Sequence, residues 1–298
     1  MSDSMKTVRT PTATGQVRTS ITDQVFETVA ESTPELRDAI RGRRGKTDST
    51  NRSGERQRAA DLWFDELLAE RLGNIDGVGT YASEERSEPV DVGDGLSVTV
   101  DPLDGSSNLD SNNLVGTVVG VYDGPLPASG RDLVGAAFVV YGPTITMVSA
   151  TAGTVAEYEV VHGELECQER DLTLPSEPSV FGFGGRVDQW SESFEAYAEG
   201  IRENLKLRYG GALVGDVNQV LGYGGVFAYP ALESKPAGKL RHQFEAAPIA
   251  YIVECAGGRS SDGRRSILEI EPGDLHERCP LHVGNKTLID ELERSLAT

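Results

Sequence analysis

The sequence predicts an α/β protein in two parts, and three observations predict it. Helical apolar spacing dominates residues 21–72. Short runs rich in Val, Ile, Tyr and Thr dominate residues 78–160. After residue 178, strand patterns alternate with helical ones.

Residues 1–20 are polar, Ser/Thr-rich and aperiodic, and read as a flexible tail. Ile21, Val25, Phe26 and Val29 form a helical stripe. Thr33, Pro34 and Glu35 read as an N-cap followed by Pro at the first helical position. That predicts a second helix through Leu36 and Ile40, ended by residues 42–45. Residues 51–54 read as a loop. Residues 55–72 predict a long helix closed by Gly73, with Ala59, Leu62, Trp63, Leu67, Leu68 and Leu72 on its inner face. Strands are predicted over 78–81, 97–100, 116–122, 133–141, 144–150 and 155–160. The prolines at 175 and 178 mark a boundary, giving an N-terminal α+β half (21–175) and a C-terminal α/β half (176–298). The second half predicts strands at 180–183, 226–229 and 267–270, and helices at 191–204, 214–221, 246–256 and 286–296.

Composition narrows the partners. A chain of 298 residues can bury a sizeable core without staples. Its net charge of −19 argues against nucleic acid and anionic membranes and favours cations. Only 6 of the 28 cationic side chains are Lys, a balance expected of a protein kept soluble at high salt. The three cysteines are far apart and form no CxxC, so neither a disulfide framework nor a zinc site is expected. With no run of 18 apolar residues and no signal pattern, a soluble cytoplasmic protein is expected.

Most of the 47 acids must be solvated surface. A few sit where that reading is strained. The strand over 97–100 runs into Asp101-Pro102-Leu103-Asp104-Gly105-Ser106-Ser107-Asn108. An Asx turn before a helix would explain one Asp and one Ser, but not the whole run. Two carboxylates and the Leu103 carbonyl are hard oxygen ligands suited to Mg²⁺ or Mn²⁺. Gly105, Ser106 and Ser107 offer N–H groups and hydroxyls that favour a phosphate. Together these are half of a metal-dependent phosphoryl-transfer site. Ser83-Glu84-Glu85 ends another strand, where at most one or two of the acids face a shared metal. Glu55 and Asp61 bracket the start of the long helix, where acids ordinarily just complement the helix dipole.

At this point the chain resembles the class I fructose-1,6-bisphosphatases, within the lithium-sensitive phosphatases that include inositol monophosphatase. The run from Asp101 to Asn108 matches their DPLDGSSN. Asn51-x-Ser53-Gly54-Glu55-x-Gln57-x3-Asp61 is similar to their N-x-T-G-D-x-Q-x3-D, with Glu replacing the first Asp. Ser83-Glu84-Glu85, Tyr141-Gly142-Pro143, the run from Tyr223 to Pro230, Gly238-Lys239-Leu240-Arg241, Phe244-Glu245-Ala246-Ala247-Pro248 and Leu275-His276-Glu277-Arg278 follow in the family's order.

The resemblance implies an α/β/α/β/α layered sandwich and hydrolysis of the 1-phosphate of fructose 1,6-bisphosphate in gluconeogenesis. It implies two Mg²⁺ on Glu84, Asp101, Asp104, Glu245 and the Leu103 carbonyl, with Glu55 and Glu85 helping a third. Asp61 and Glu85 would position and deprotonate the attacking water. Gly105, Ser106 and Ser107 would bind the 1-phosphate, and Arg241 and Leu213 would line the sugar. Tyr209, Tyr223 and Lys239 would hold the 6-phosphate, with Arg208 reaching in from a neighbouring subunit of a homodimer or homotetramer. Two departures follow. The family's Asn and Tyr contacts to the 6-phosphate fall on Gly184 and Val187, where Arg186 is the compensating cation, so a sedoheptulose bisphosphate remains an alternative substrate, as does an inositol phosphate. The Lys-Tyr pair and the Arg of the eukaryotic AMP-inhibition site fall on Gly95-Leu96 and Asp123, which predicts no AMP inhibition there.

Overall fold

The computed structural model describes residues 20–41, 46–50 and 56–297. Of the expected tail over 1–20, residues 1–19 lie outside the described residues, as does Glu55 with its expected role, while Ser20 is described.

Helix α1 spans Ile21–Ile40 and is capped by the Ser20 hydroxyl, which accepts from the Asp23 N–H at 3.0 Å. It is one helix, not the expected two. Pro34 sits inside it and cannot donate to the Ala30 carbonyl. The Thr33 hydroxyl donates to that carbonyl instead (2.9 Å), and Ser32 donates to the Thr28 carbonyl (2.7 Å). The buried stripe of Val25, Phe26, Val29, Leu36 and Ala39 continues through the proline, so packing overrides the break.

Helix α2 spans Ala59–Gly73, and residues 56–58 are strand rather than its first turn. Its buried face is Ala60, Asp61, Phe64, Asp65, Leu68 and Leu72. Leu62, Trp63 and Leu67 are only half-buried. The expected face was therefore rotated, because the inner stripe carries two acids that apolar counting skips.

Both helices cover one face of an eight-stranded sheet. Its spatial order is Glu164–Arg170, Thr154–Val161, Ile145–Thr151, Leu133–Tyr141, Val115–Tyr122, Leu96–Asp104, Val78–Ser83, Val90–Asp91. Period-two alternation sends Ala137, Val139 and Met147 toward α1 and α2, and Ala136, Phe138, Val140 and Val148 the other way. The strand Glu164–Arg170 was not expected. It is an edge strand with mostly exposed, charged side chains, and so carries no apolar period.

The second half builds α3 (Glu192–Asn204), α4 (Leu213–Tyr223), α5 (Ala247–Cys255) and α6 (Lys286–Leu296) around a five-stranded sheet. That sheet runs Lys206–Leu207, Val180–Phe183, Gly225–Tyr229, Leu281–Gly284, Arg259–Ser261. Residues 267–270, expected as strand, instead form a short 3₁₀ turn capped by the Ser266 hydroxyl. Helices α4 and α5 are buried between the two sheets, and α3 and α6 cover the outer face of the smaller one. The layers are thus helices, sheet, helices, sheet, helices.

The inner layers are pinned by a π-helical turn, His242–Ala246, immediately before α5. The Gln243 carbonyl accepts from Thr99 (3.2 Å) and Tyr122 (3.2 Å), and its side-chain oxygen accepts from the Ala128 N–H (2.9 Å). This turn brings residue 245 to the first sheet.

Candidate active site

Sheet pairing explains how distant acids meet. Neighbouring strands of the large sheet are antiparallel except for Val78–Ser83 and Leu96–Asp104, which run parallel with Ser83 opposite Val100. Parallel strands end on the same side, so Glu84-Glu85 and Asp101 emerge together. The Glu84 N–H donates to the Val100 carbonyl at 3.0 Å.

Asp101 and Asp104 are three residues apart, and a regular strand would send them to opposite faces. Here Asp101 pairs with Val118 and Asp104 with Gly116, so the three-residue step is matched by two across the ladder. A bulge at Pro102-Leu103 absorbs the extra residue, and both carboxylates face one cavity. The Leu103 N–H donates to Asp101 Oδ1 (3.1 Å) and the Val214 N–H to Asp104 Oδ2 (2.8 Å).

The chain then turns at Gly105, whose φ of 71° is left-handed, into a 3₁₀ turn at Ser106–Ser111. Asn108 ties this turn to the far side of the cavity by donating to the carbonyls of Leu114 (2.8 Å) and Gly210 (2.9 Å). Asp216 fixes the same loop, accepting from the N–H groups of Gly210 (2.5 Å) and Gly211 (3.0 Å). The loop following Arg208 and Tyr209 is therefore anchored to the Gly105–Ser107 cradle.

From the other half, the Arg241 N–H donates to Glu245 Oε2 (2.7 Å), and the Arg241 guanidinium pairs with Glu84. The Lys239 ammonium lies over the Tyr229 ring at 5.2 Å. Arg278 donates to the Lys239 carbonyl at 2.6 Å.

The cavity has a volume of about 280 Å³ and is lined by carboxylates, cations and aromatic side chains together. It gathers Asp61, Glu84, Glu85, Asp101, Leu103, Asp104, Gly105, Ser106, Ser107, Tyr209, Leu213, Lys239, Arg241 and Glu245. It does not gather Arg208 or Tyr223. These are exposed, with the Arg208 guanidinium 6.0 Å from the Tyr223 ring centre. Arg186, expected to compensate at the distal phosphate, is exposed and paired with Asp188 at 2.9 Å. Sequence reasoning missed Asp216, Tyr229 and Arg278. Asp216 lies one helical turn after Leu213, while Tyr229 and Arg278 sit inside the runs 223–230 and 275–278, which carry the resemblance without a role for either residue.

The acids are electrostatically strained. Burial, then the charge of Glu84, pushes Glu245 up to about 7. Burial pushes Asp104 up to about 7, against the hydrogen bond from Val214. Burial, then Glu84 and Asp104, raises Asp101 well above the carboxylate range. One oxygen from each of Glu84, Asp101 and Glu245 lies within 4.8 Å of the others. Converging, buried carboxylate oxygens of this kind fit a hard divalent cation.

This has a measurable sign. A carboxyl raised in the folded state binds more protons than in the unfolded chain, so its contribution to stability is lost as pH rises through the folded value. The metal-free protein should lose thermal stability from pH 6.5 to 8. Saturating Mg²⁺ should raise the melting temperature more at pH 8 than at pH 6.5. Burial holds His242 below its ordinary value and His282 down to about 4; their effect has the opposite sign and fades as pH rises past the ordinary histidine value. A metal-free melting temperature that rises across it would contradict the assignment.

Comparison with known proteins places these observations. Residues 28–165 match the model for the N-terminal domain of fructose-1-6-bisphosphatase, and residues 174–297 match the model for its C-terminal domain. The class 1 fructose-1,6-bisphosphatase 1 of Haloarcula marismortui is 54% identical over 273 residues, covering 92% of this chain and 94% of that one. The Halobacterium salinarum class 1 enzyme is 53% identical over 279 residues, covering 93% and 97%. Among solved structures, Leishmania major fructose-1,6-bisphosphatase in holo form superposes with a TM-score of 0.88 at 27% identity, covering 95% of each chain. A Toxoplasma gondii protein assigned as a candidate sedoheptulose-1,7 bisphosphatase superposes at 0.83 with 28% identity, covering 92% and 94%.

Proposed function

The chain belongs to the fructose-1,6-bisphosphatase family and is a phosphoric monoester hydrolase acting on fructose 1,6-bisphosphate, and we propose that the cavity described above is where it removes the 1-phosphate. The observation that carries this reading is the cavity itself, which brings carboxylates, a glycine-serine turn and the cations Lys239, Arg241 and Arg278 to one space.

Glu84, Asp101, Asp104, Glu245 and the Leu103 carbonyl would hold two Mg²⁺, and Glu85 a third; Mn²⁺ has the same donor preference. Bound there, the ions would supply charge stabilisation for the entering water and leaving oxygen. The chain's own residues do the rest. Asp61 and Glu85 accept the proton of the attacking water. The N–H groups and hydroxyls of Gly105, Ser106 and Ser107 orient the 1-phosphate. Leu213 and Arg241 line the sugar. Tyr209 and Lys239 meet the distal phosphate, joined by Tyr229 and Arg278, which contact Lys239. A bisphosphate carries about four negative charges near neutral pH, two per phosphate. In a chain of net charge −19, these clustered cations are what admit it. Arg208 and Tyr223 stand outside the cavity, which supports a homodimer or homotetramer in which they serve a neighbouring copy.

Phosphate release from fructose 1,6-bisphosphate, sedoheptulose 1,7-bisphosphate and inositol 1-phosphate with Mg²⁺ tests the reading. The first is expected to be cleaved fastest, and no release from it with all ligands intact would sink the proposal.

The surplus acids support a cytoplasmic enzyme adapted to high salt, as does the similarity to enzymes of Haloarcula and Halobacterium. At molar salt the Debye length is ~3 Å, so self-repulsion is screened. The melting temperature and activity are expected to rise between low and molar KCl. Unchanged values would remove the salt-adaptation reading and leave the enzymatic one intact.

A further inference from the structure

We propose that Asp65 is a positioning residue that sets the metal affinity of the Glu84-Glu85 segment, an inference that rests on the functional reading above. Asp65 is 4% exposed, outside the cavity, and one helical turn after Asp61 on α2. A buried carboxylate is costly unless it is paired and hydrogen-bonded, and both of its oxygens are used. Oδ1 accepts from the Tyr81 hydroxyl at 3.0 Å, and Oδ2 accepts from Arg86 Nε at 2.7 Å. The Arg86 guanidinium also lies over the Tyr81 ring, 5.7 Å from its centre.

Tyr81 and Arg86 flank the two glutamates in sequence, so one carboxylate grips the segment on both sides. The grip comes from the helix that carries Asp61 into the cavity. The far side of the segment is also held: the Arg86 carbonyl lies 2.8 Å from His276 Nε2, and the His276 ring packs on Phe244, next to Glu245. Within the segment, the Arg86 N–H donates to the Ser83 carbonyl (3.1 Å) and the Glu85 N–H to the Ser83 hydroxyl (3.2 Å). The turn is thus fixed relative to both Asp61 and Glu245 by contacts of the chain itself. Groups that orient metal-holding side chains without touching the ion typically alter affinity ten- to a hundredfold when removed.

The test uses the full chain and Mn²⁺ alone as probe, with free Mn²⁺ read by electron paramagnetic resonance. Asp65→Asn keeps an acceptor for Tyr81 and removes the charge that holds Arg86. Its Mn²⁺ dissociation constant is expected to rise about tenfold, and the Mg²⁺ concentration for half-activation with it. The loss in kcat at saturating Mg²⁺ should be smaller than either. Arg86→Met should behave alike, with Arg86→Lys closer to the parent. Arg86 is one-third exposed, so its variants remain usable if Asp65→Asn fails to fold. Variants with a lowered melting temperature but the parent's Mn²⁺ affinity would show a merely structural role and overturn the proposal. A parent that neither binds Mn²⁺ nor cleaves the substrate would instead indict the functional reading itself.

Discussion

Asp101→Asn is expected to lower kcat by about a thousandfold while raising the melting temperature of the metal-free protein. Catalysis and stability should move in opposite directions because one feature serves both. Asp101 is fully buried beside Glu84, Asp104 and Glu245, and burial with those charges already raises its pKa well above the usual range. The amide is isosteric and keeps an oxygen to accept from the Leu103 N–H. It removes one charge from a crowded acidic site and so relieves repulsion in the absence of an ion. It also removes a hard anionic ligand. Charge stabilisation by bound metal is worth several kcal/mol, and about 1.4 kcal/mol corresponds to a factor of ten in rate. Melting in chelator and turnover at saturating Mg²⁺ check both halves. If the chelated variant melts below the parent, the carboxylate is structural and its assignment as a ligand fails.

The second large effect concerns shape. Gly105→Ala should cost about 2–4 kcal/mol of stability and reduce kcat/KM by about a hundredfold. Two causes add. The residue sits at φ 71°, which an L side chain adopts at a cost of roughly 1–2 kcal/mol. Its Cβ would also lie 2.5 Å from Ala212 Cβ and 2.9 Å from Ala212 Cα, so backbone must move. What moves is the loop between Tyr209 and α4, which Asp216 and Asn108 hold against the 3₁₀ turn. Gly153→Ala is the control. It has φ 79° but nothing within 4 Å of a new Cβ. It should show the backbone cost and leave kcat/KM unchanged. Equal kinetic losses in both variants would refute the argument from close approach.

Much of this architecture is legible in the sequence where a local pattern has one physical cause. The run at 133–141 is apolar throughout because its strand is covered on both faces, and 192–204 is helical behind its Ser191 cap. The acidic motifs are legible because buried acids need a reason. Reading fails where a tertiary contact overrides local grammar. Pro34 looks like a helix start, yet Thr33 satisfies the carbonyl that the proline leaves open. The edge strand at 164–170 has no buried face to give it a period. The helix with Asp61 and Asp65 on its inner stripe misleads a count of apolar residues. The parallel register of 78–83 against 96–104 is a relation between segments that neither encodes alone. For the same reason the motif list could name Tyr223 and Arg208, but only the fold could set them outside the cavity and Asp216 within it.

The π-helical turn also orders events in time. Gln243 reaches Thr99, 144 positions earlier in the chain, and Glu245 arrives with it. A ribosome delivers Asp61, Glu84 and Asp101 long before that turn exists. Until the last layers dock, the acids already synthesised form an incomplete cluster. Loop closure over such a span is slow and entropically costly, and it closes only once the C-terminal half is synthesised. On the proposed reading, a truncated or half-docked chain would carry the motifs yet lack the Glu245 oxygen that completes the cluster.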